Sequence, residues 1–429
     1  MISQIVASLI FAITLYLIFA EKLNRTIAAL AGAVAMVTAG ILLGFYDEQG
    51  AVAAVDFNTL GLLFGMMTLV TLLEPTGFFE FMAVWAARFS KGRPVRLLVI
   101  FGAVTTLLSM FLDNVTTVVL IAPVTIMVCE ILGINPTPLL MSEALLSDTG
   151  GVATLIGDPP NVLIASAADL SFNDFLTHAL PVVLVAWIAA LALLRFLFRK
   201  ELALPSPNVE AVLRLEPKKA IKDPVTLRRV LVVLGVVILL FTLEEALGLS
   251  PAHLALGGAA AALVWARPDI RQVYERLEWG ILVFFVSLFV MVGGLEATGL
   301  LRAVANLVLQ IGISNPVLLG VVVLWVVAGL SAVVDNVPIT IALIPVIQNL
   351  GSSGLPVAAL WWALAFGAGF GGNGTIIGST ANIVVVSLSE RTRAPITTSL
   401  WSRRGLPIML ATCLVTTLLY ILFYPLLAR

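Results

Sequence analysis

The sequence predicts an all-α polytopic membrane protein of about ten transmembrane helices in two inverted five-helix repeats. The first observation is composition, because 60% of the 429 residues are hydrophobic, 11% are charged and the mean hydropathy is +1.09. A soluble fold of this length does not need so much apolar surface. The second is that the apolar residues form continuous runs, which excludes the alternating pattern of a membrane β-barrel. The third is a motif that occurs twice, described below.

Continuous apolar runs long enough to cross about 30 Å of hydrocarbon define the predicted spans. They lie near 2–20, 26–44, 58–73, 176–198, 229–247, 253–266, 279–294 and 406–427.

Two further apolar stretches are interrupted by Asp, Asn, Gly and Pro. Irregular backbone is tolerated at membrane depth only where protein encloses it or where it lines a cavity. From each stretch we therefore predict a re-entrant hairpin, about 96–132 and about 315–350, followed by a discontinuous helix, about 138–168 and about 354–387. Residues 1–199 are then the first repeat and residues 230–429 the second.

Five spans in each repeat turn the second copy upside down and place both chain termini outside the cytoplasm. In this topology the basic residues, beginning with Lys22 and Arg25, fall on the cytoplasmic side, apart from Arg302 and Arg429. This asymmetry agrees with the positive-inside rule and with a multi-pass protein of a prokaryotic inner (plasma) membrane. Residues 200–229 are predicted to be an extended cytoplasmic linker, because prolines occur at positions 205, 207, 217 and 224.

The duplicated motif joins an Asp-Asn pair to a glycine-rich break. Its first copy covers 113–123 and 150–161, and its second covers 335–345 and 371–382. The Asp-Asn pairs are 222 residues apart (113 and 335), and the closing asparagines are 221 apart (161 and 382). Polar groups and broken helices at mid-depth are typical of a membrane transporter.

Acidic residues of the motif are the candidates for proton or cation coupling. An ionisable group at the bilayer centre costs several kcal/mol unless it is solvated, paired or protonated. Asp113 and Asp335, at the two hairpin tips, would face each other across one cavity. A purely structural role as helix caps stays open, although a neutral serine would cap without the membrane cost. Asp148 and Asp158 are further candidates, and Asp158 is also suited to cap the helix that restarts at Pro159.

The remaining polar and glycine positions of the motif are the candidates for substrate binding. Glycine breaks free backbone carbonyls and allow a ligand to approach closely, while asparagine and threonine side chains supply hydrogen bonds. The predicted substrate ligands are Asn114, Thr116, Thr117, Gly150, Gly151, Thr154, Asn161, Asn336, Thr340, Asn373, Thr375, Ser379 and Asn382. Outside the motif, Glu74 and Glu296 occupy matching positions. A coupling role stays open for them, but a helix-start role at the surface is favoured.

Several features that other functions require are missing from the sequence. No Arg or Lys occurs at the centre of either broken region, so nothing there is expected to neutralise a carboxylate or phosphate substrate. There is no glycine-rich nucleotide-binding loop, so the chain is not expected to hydrolyse ATP. Cys129 and Cys413 lie in separate apolar runs and predict neither a disulfide nor a thiolate metal site. We expect no enzyme activity, cofactor, resident metal or nucleic-acid partner.

The paired Asp-Asn tips and the Gly-Gly-x-x-Thr-x-Ile-Gly-Asp-Pro-Pro-Asn run resemble the arsenite-permease and P-protein branch of the ion transporter superfamily. The resemblance extends over nearly the whole chain. It implies two inverted repeats, with scaffold helices and a mobile transport part. Dicarboxylate transporters of the same superfamily have Ser-Asn-Thr where this chain has 113–115 and 335–337, which argues against a carboxylate substrate.

The resemblance implies a secondary active transporter that exports arsenite and antimonite from the cytoplasm by alternating access, driven by proton antiport or membrane potential. Arsenite near neutral pH is a small uncharged trihydroxide, which asparagine, threonine and backbone groups can bind without an arginine. A sodium/proton antiporter, an anion or dicarboxylate transporter and a passive channel stay open as alternatives. The expected partners are a small inorganic substrate, a coupling proton or sodium ion and the lipid bilayer. A cytoplasmic ATPase subunit is a further possible partner.

Overall fold

The computed structural model describes residues 2–20, 23–310, 313 and 315–428. Regular structure in these ranges is helical, and no strand is found within them. The all-helical prediction is therefore confirmed for the described part of the chain. Lys22 and Arg429, which the topology places on opposite sides of the membrane, lie outside the described residues.

The helices before the linker include two pairs that flank the irregular parts of the first motif copy. In order they are α1 (Ile2–Phe19), α2 (Arg25–Leu43), α3 (Glu48–Ala53), α4 (Phe57–Leu73), α5 (Phe78–Phe89), α6 (Pro94–Ser109), α7 (Asn114–Leu132), α8 (Thr137–Gly151), α9 (Pro159–Ala168), α10 (Phe172–Asp174) and α11 (Leu180–Leu197). A 3-10 turn, Glu74–Thr76, follows α4, and a π-helical turn, Phe175–Ala179, joins α10 to α11.

The rest of the chain begins with short helices in the linker. Long helices then follow in an order similar to that of the first half. The helices are α12 (Arg199–Leu202), α13 (Val209–Leu213), α14 (Pro224–Thr242), α15 (Glu244–Leu247), α16 (Pro251–Ala266), α17 (Ile270–Arg276), α18 (Trp279–Ala297), α19 (Leu300–Gln310), α20 (Pro316–Ser331), α21 (Asn336–Ser352), α22 (Ala358–Gly371), α23 (Thr380–Ser389), α24 (Thr398–Leu422) and α25 (Tyr424–Leu427). Two 3-10 turns lie at Pro217–Ala220 and Gly372–Gly374.

Seven helical segments of the described chain are long and apolar enough to cross a membrane. They are Arg25–Leu43, Phe57–Thr76, Asn114–Leu132, Phe172–Leu197, Pro224–Thr242, Trp279–Ala297 and Thr398–Leu422. The predicted spans at the N-terminus and near 253–266 are apolar but shorter helices. The total of ten spans and the inverted orientation of the repeats therefore stay predictions.

The ranges predicted as hairpins and broken helices each contain two helices around an irregular centre. α6 and α7 are separated by residues 110–113, and α20 and α21 by residues 332–335. α8 and α9 flank the first glycine-rich break, and α22 and α23 flank the second. All 15 residues of α8 are buried. The first break thus continues from a helix that lies inside the protein, as the unsatisfied backbone groups of a broken helix require.

Each broken helix packs against both hairpins. α8 lies against α6 and α22 against α20, within the same half of the chain. The second segments cross over, since α9 packs against α21 and α23 packs against α7. The hairpin turns of one half therefore lie beside the break of the other half.

The linker differs from the extended connection that its prolines predict. It contains α12, α13 and a 3-10 turn, and residues 224–229 already belong to α14. It is attached to the first half, because the Lys222 amide donates to the Thr76 carbonyl (2.8 Å) and Ser206 Oγ donates to the Gly92 carbonyl (2.6 Å). Val212 is fully buried. The prolines limit helix length here, but apolar residues between them still pack against α5 and α7.

Candidate functional site

The two hairpin turns present their aspartates in the same way. Asp113 is the N-cap of α7, and its side chain accepts hydrogen bonds from the amide (2.9 Å) and hydroxyl of Thr116. Asp335 is the N-cap of α21 and accepts from the Val337 amide (3.2 Å). Asp335 also accepts from Thr380 Oγ1 (2.9 Å), at the start of α23. Both aspartates thus combine a capping role with access to a shared space.

The two glycine-rich breaks are held by matching hydrogen bonds. In the first, Thr154 Oγ1 donates to the Met110 carbonyl and accepts from the Gly157 amide (3.1 Å). Asn161 Nδ2 donates to the carbonyls of Gly151 (3.2 Å) and Thr154 (2.8 Å).

In the second break, Thr375 Oγ1 donates to the Ala332 carbonyl and accepts from the Gly378 amide (3.2 Å). Asn382 Nδ2 donates to the carbonyls of Gly372 (2.9 Å) and Thr375 (3.1 Å). These side chains replace the helical hydrogen bonds that the breaks lose. Their predicted role as substrate ligands stays a prediction.

Two buried carboxylates connect the breaks to the hairpins. Asp148 Oδ1 accepts from Asn114 Nδ2 (2.9 Å) and from Ser379 Oγ (3.0 Å), while its Oδ2 has no partner among the described residues. Asp158 accepts from Asn336 Nδ2 at both oxygens (3.3 and 3.2 Å). Ser379 and Asn336 belong to the other half of the chain. Each carboxylate therefore joins the two halves.

Asp158 corrects part of the sequence interpretation. It stands at the N-cap position of α9, but its side chain makes no capping hydrogen bond. The carboxylate turns instead to Asn336, and Pro159 at the first helical position removes one of the amides that a cap would satisfy. Ser379, at the matching position, does accept from the Ala381 amide (3.3 Å).

One cavity lies between the hairpin turns and the breaks. It has about 1060 Å³ of space outside protein atoms, part of it open to solvent. Both hairpin tips reach it. The predicted site residues among its lining are Asp113, Asn114, Thr116, Asp158, Asp335, Asn336 and Ser379.

The other predicted site residues lie behind this lining. Thr340 Oγ1 donates to the Asn336 carbonyl (2.8 Å), and Asn373 Nδ2 donates to Thr149 Oγ1 (3.1 Å). They support the lining or the breaks. The predicted residues outside the cavity lining are Thr117, Asp148, Gly150, Gly151, Thr154, Asn161, Thr340, Asn373, Thr375 and Asn382.

The structure also adds charged residues that sequence reasoning did not place at the site. Arg25, at the start of α2, lies 3.6 Å from Asp335 Oδ2 and donates to Thr380 Oγ1. Arg276 and Glu278 line the same cavity. No Arg or Lys occurs at the centre of either broken region, as the sequence indicates, but Arg25 and Arg276 bring positive charge to the cavity from outside these regions. Both arginines belong to neighbouring helices, α2 and α17, whose ends reach the cavity.

Glu74 begins the 3-10 turn Glu74–Thr76, as the sequence predicts for a helix start, and it also lines the cavity. Together with Asp113, Asp158, Glu278 and Asp335, the lining holds five carboxylates against the guanidinium groups of Arg25 and Arg276. When these groups are ionised, negative charge exceeds positive charge in the described lining. Such a field attracts protons and other cations.

A family model described as "Citrate transporter" matches residues 15–367. The chain belongs to the citrate transporter family. This family membership places it among membrane transporters of the ion transporter superfamily and not among enzymes.

Relatives of this citrate transporter family member are found in bacteria and in mammals. An uncharacterized transporter of Mycobacterium tuberculosis (strain ATCC 25618 / H37Rv) is 38% identical over 408 residues, which cover 94% of each chain. The human P protein is 32% identical over 491 residues, covering 96% of this chain and 59% of the P protein. The resemblance to P proteins is thereby confirmed.

The fold of this citrate transporter family member also matches that of a solved structure. The crystal structure of the YdaH transporter of Alcanivorax borkumensis matches with a TM-score of 0.57 and 18% identity, covering 86% of each chain. At this identity the match shows a shared fold alone. The chain is therefore a multi-pass membrane transporter of known fold.

Proposed function

We propose that the chain is a proton-coupled antiporter that exports a small uncharged solute, arsenite or antimonite, by alternating access. The observation that supports this most is the cavity lined by Asp113 and Asp335, one from each copy of the motif. A cavity in which carboxylates outnumber arginines suits protons and uncharged hydroxyl compounds better than a multiply charged anion.

The polar groups around the cavity match the hydrogen bonds that a trihydroxide can make. Four polar side chains line the cavity and offer both hydrogen-bond donors and acceptors. They are Asn114, Asn336, Thr116 and Ser379. The carboxylates accept hydrogen bonds from hydroxyl groups when ionised. When a carboxylate is protonated, one of its oxygens becomes an O–H donor and its capacity to accept hydrogen bonds falls. Proton and solute therefore compete for the same oxygens, which is the basis of antiport.

Coupling further requires that the two halves move relative to one another. The bond from Asn336 to Asp158 joins the halves at the cavity lining, and the bond from Ser379 to Asp148 joins them directly behind it. A proton or solute that binds these carboxylates changes the strength of the same bonds. We propose that occupancy in this way shifts the balance between the two access states.

The topology belongs to the same proposal. Two inverted repeats, 1–199 and 230–429, place both termini outside the cytoplasm of a prokaryotic cell, with the linker inside. A single cysteine replacing the exposed Lys218 should react with membrane-impermeant maleimide only after cells are opened. Labelling of this cysteine in intact cells would show that the topology is the reverse of the one proposed.

A second candidate is a carboxylate transporter, which Arg25 and Arg276 in the cavity favour. The description of the family model, "Citrate transporter", points the same way. Sodium/proton antiport is a third candidate, in which the aspartates bind the cation.

Uptake into everted vesicles under an imposed pH gradient tests these candidates together. Arsenite, antimonite, sodium and citrate are compared, with vesicles lacking the protein as control. We expect accumulation of arsenite and antimonite that a protonophore abolishes. Accumulation of citrate that Arg25→Gln abolishes would support the second candidate instead, and saturable sodium uptake without arsenite uptake would support the third.

A further inference from the structure

A groove on the surface of the first half, remote from the transport cavity, combines basic and aromatic side chains. It lies between α5, the beginning of α6 and the linker, and has about 1560 Å³ of space outside protein atoms, part of it open to solvent. Arg88, Lys91 and Arg96 line it together with Trp85 and Phe89. None of these residues takes part in the transport site described above.

The three basic side chains are available to an anion. All three are exposed, and the ion pairs formed by the described residues do not include them. Arg88 makes only a long hydrogen bond to the Leu215 carbonyl (3.5 Å). Glu80, on the same helix as Arg88, pairs with Lys222 instead, at 3.1 Å.

The aromatic residues of the groove are of the kind found at the edge of a membrane. Trp85 is 42% exposed and Phe89 is 64% exposed, and their rings stack with centroids 5.4 Å apart. Exposed aromatic rings beside lysine and arginine are typical of the boundary between headgroups and acyl chains.

The basic and the apolar residues of the groove lie at different levels along α6. Arg96 lies in the first turn of α6. The apolar residues Val99 and Ile100 follow about one turn, or about 5 Å, further along the helix. A phosphate at the basic end would therefore leave an attached acyl chain against the apolar end.

Comparison with the second copy shows that the fold does not require this charge. At the 222-residue offset of the hairpins, Arg88, Lys91 and Arg96 correspond to Gln310, Ile313 and Leu318. The second copy forms its helix and hairpin with neutral residues at all three positions. The basic cluster is thus an addition to the first copy and not a packing requirement.

We propose that this groove binds one anionic phospholipid of the adjacent leaflet. Its phosphate lies among Arg88, Lys91 and Arg96, and an acyl chain lies along Trp85, Phe89 and the apolar wall of α6. Basic residues near a membrane surface attract anionic lipids with about 1 kcal/mol each, or about fivefold in affinity per residue.

Fluorescence quenching by brominated lipids tests the proposal on the intact chain in nanodiscs. The chain has eight tryptophans, so the signal of Trp85 is the difference between the unsubstituted protein and Trp85→Phe. Phosphatidylglycerol with brominated acyl chains is titrated into phosphatidylcholine, and brominated phosphatidylcholine is the matched control lipid. We expect the anionic lipid to quench Trp85 at a mole fraction at least fivefold lower than the neutral lipid.

The basic residues are tested by charge removal. Arg88→Gln/Lys91→Gln/Arg96→Gln should remove the preference for the anionic lipid. Arg391→Gln/Arg393→Gln/Arg403→Gln, which removes three exposed charges elsewhere, should keep it. The single variant Lys91→Gln, in an exposed turn, should reduce the preference about fivefold and serves if the triple variant does not fold.

Three results would overturn the proposal. The first is equal quenching of Trp85 by both lipids. The second is an equal loss of preference in the two triple variants, which would indicate general surface charge. The third is release of the brominated lipid by millimolar inorganic phosphate, which would assign the groove to a soluble anion.

Discussion

Replacing Asn336 with alanine is predicted to destabilise the contact between the two halves of the transporter. Asn336 Nδ2 donates to both oxygens of Asp158, at 3.3 and 3.2 Å. Among the described residues, no other donor reaches this carboxylate, which is only 1% exposed. Asn336→Ala therefore leaves a buried carboxylate without a hydrogen-bond partner.

The expected cost follows from the burial of the acceptor. A buried acceptor left without its partner costs about 1–3 kcal/mol, whereas side-chain hydrogen bonds between membrane helices average about 0.6 kcal/mol. Asn349 is the matched control, because it lies on the same helix and its Nδ2 donates only to the Pro345 carbonyl (2.7 Å). Asn336→Ala should therefore cost about 1–2.5 kcal/mol more than Asn349→Ala.

Denaturation by sodium dodecyl sulfate in mixed micelles measures the free energy of unfolding of both variants. Uptake into everted vesicles measures transport by the same preparations. We expect Asn336→Ala to unfold at lower detergent fraction and to transport at least about fivefold more slowly, while Asn349→Ala stays within about threefold of the unsubstituted protein in transport. Equal unfolding free energies for the two variants would refute the assignment of the Asn336–Asp158 contact.

Two further predictions concern the breaks and the linker. Gly157→Ala and Gly378→Ala should each prevent correct folding, because the added Cβ would lie 2.5 Å from a backbone carbonyl oxygen. Gly257→Ala is the control and should express and transport normally, because its Cβ would meet nothing within 4 Å. Asp223→Ala should cost about 1 kcal/mol of stability at neutral pH by removing the cap of α14. Hydrogen bonds from Thr226 lower the pKa of Asp223, so its stabilisation is complete above its ordinary pKa and is lost as the pH falls through the lowered value.

The glycine variants are checked by their expression level and by whether they are monodisperse after solubilisation in detergent. The Asp223 cap is checked by measuring thermal unfolding at several pH values between neutral and acidic. Normal folding of Gly378→Ala would show that the second break is not as tightly packed as described. Asp223→Asn separates capping from charge, because asparagine caps but does not titrate. If the stability difference between Asp223→Ala and the unsubstituted protein did not shrink at low pH, the cap would not act through its charge.

The sequence identified the irregular parts of the site because their residues are unusual in an apolar context. Asp-Asn pairs, glycine pairs and Pro159 interrupt hydrophobic runs, and the duplication shows that both interruptions belong to one design. The helices around the first break, Thr137–Gly151 and Pro159–Ala168, begin and end close to the predicted range 138–168. Local chemistry was sufficient here.

The charges of the cavity could not be obtained in the same way. Arg25 and Arg276 lie at helix ends that the sequence places near the cytoplasmic surface, and only the packing of α2 and α17 brings them to the cavity. Likewise, Asn336 pairs with Asp158 across 178 positions of the chain. Neither relation leaves a local pattern, because both depend on how distant helices approach each other.

Proton-driven accumulation by the variant Asp113→Asn/Asp335→Asn tests the central claim most directly. Asparagine keeps the size and capping ability of both residues but cannot titrate, so the fold and the solute site should persist. In proteoliposomes with an imposed pH gradient, we predict that the double variant exchanges arsenite across the membrane but no longer accumulates it. Accumulation equal to that of the unsubstituted protein would contradict the account and assign coupling to Asp148 and Asp158.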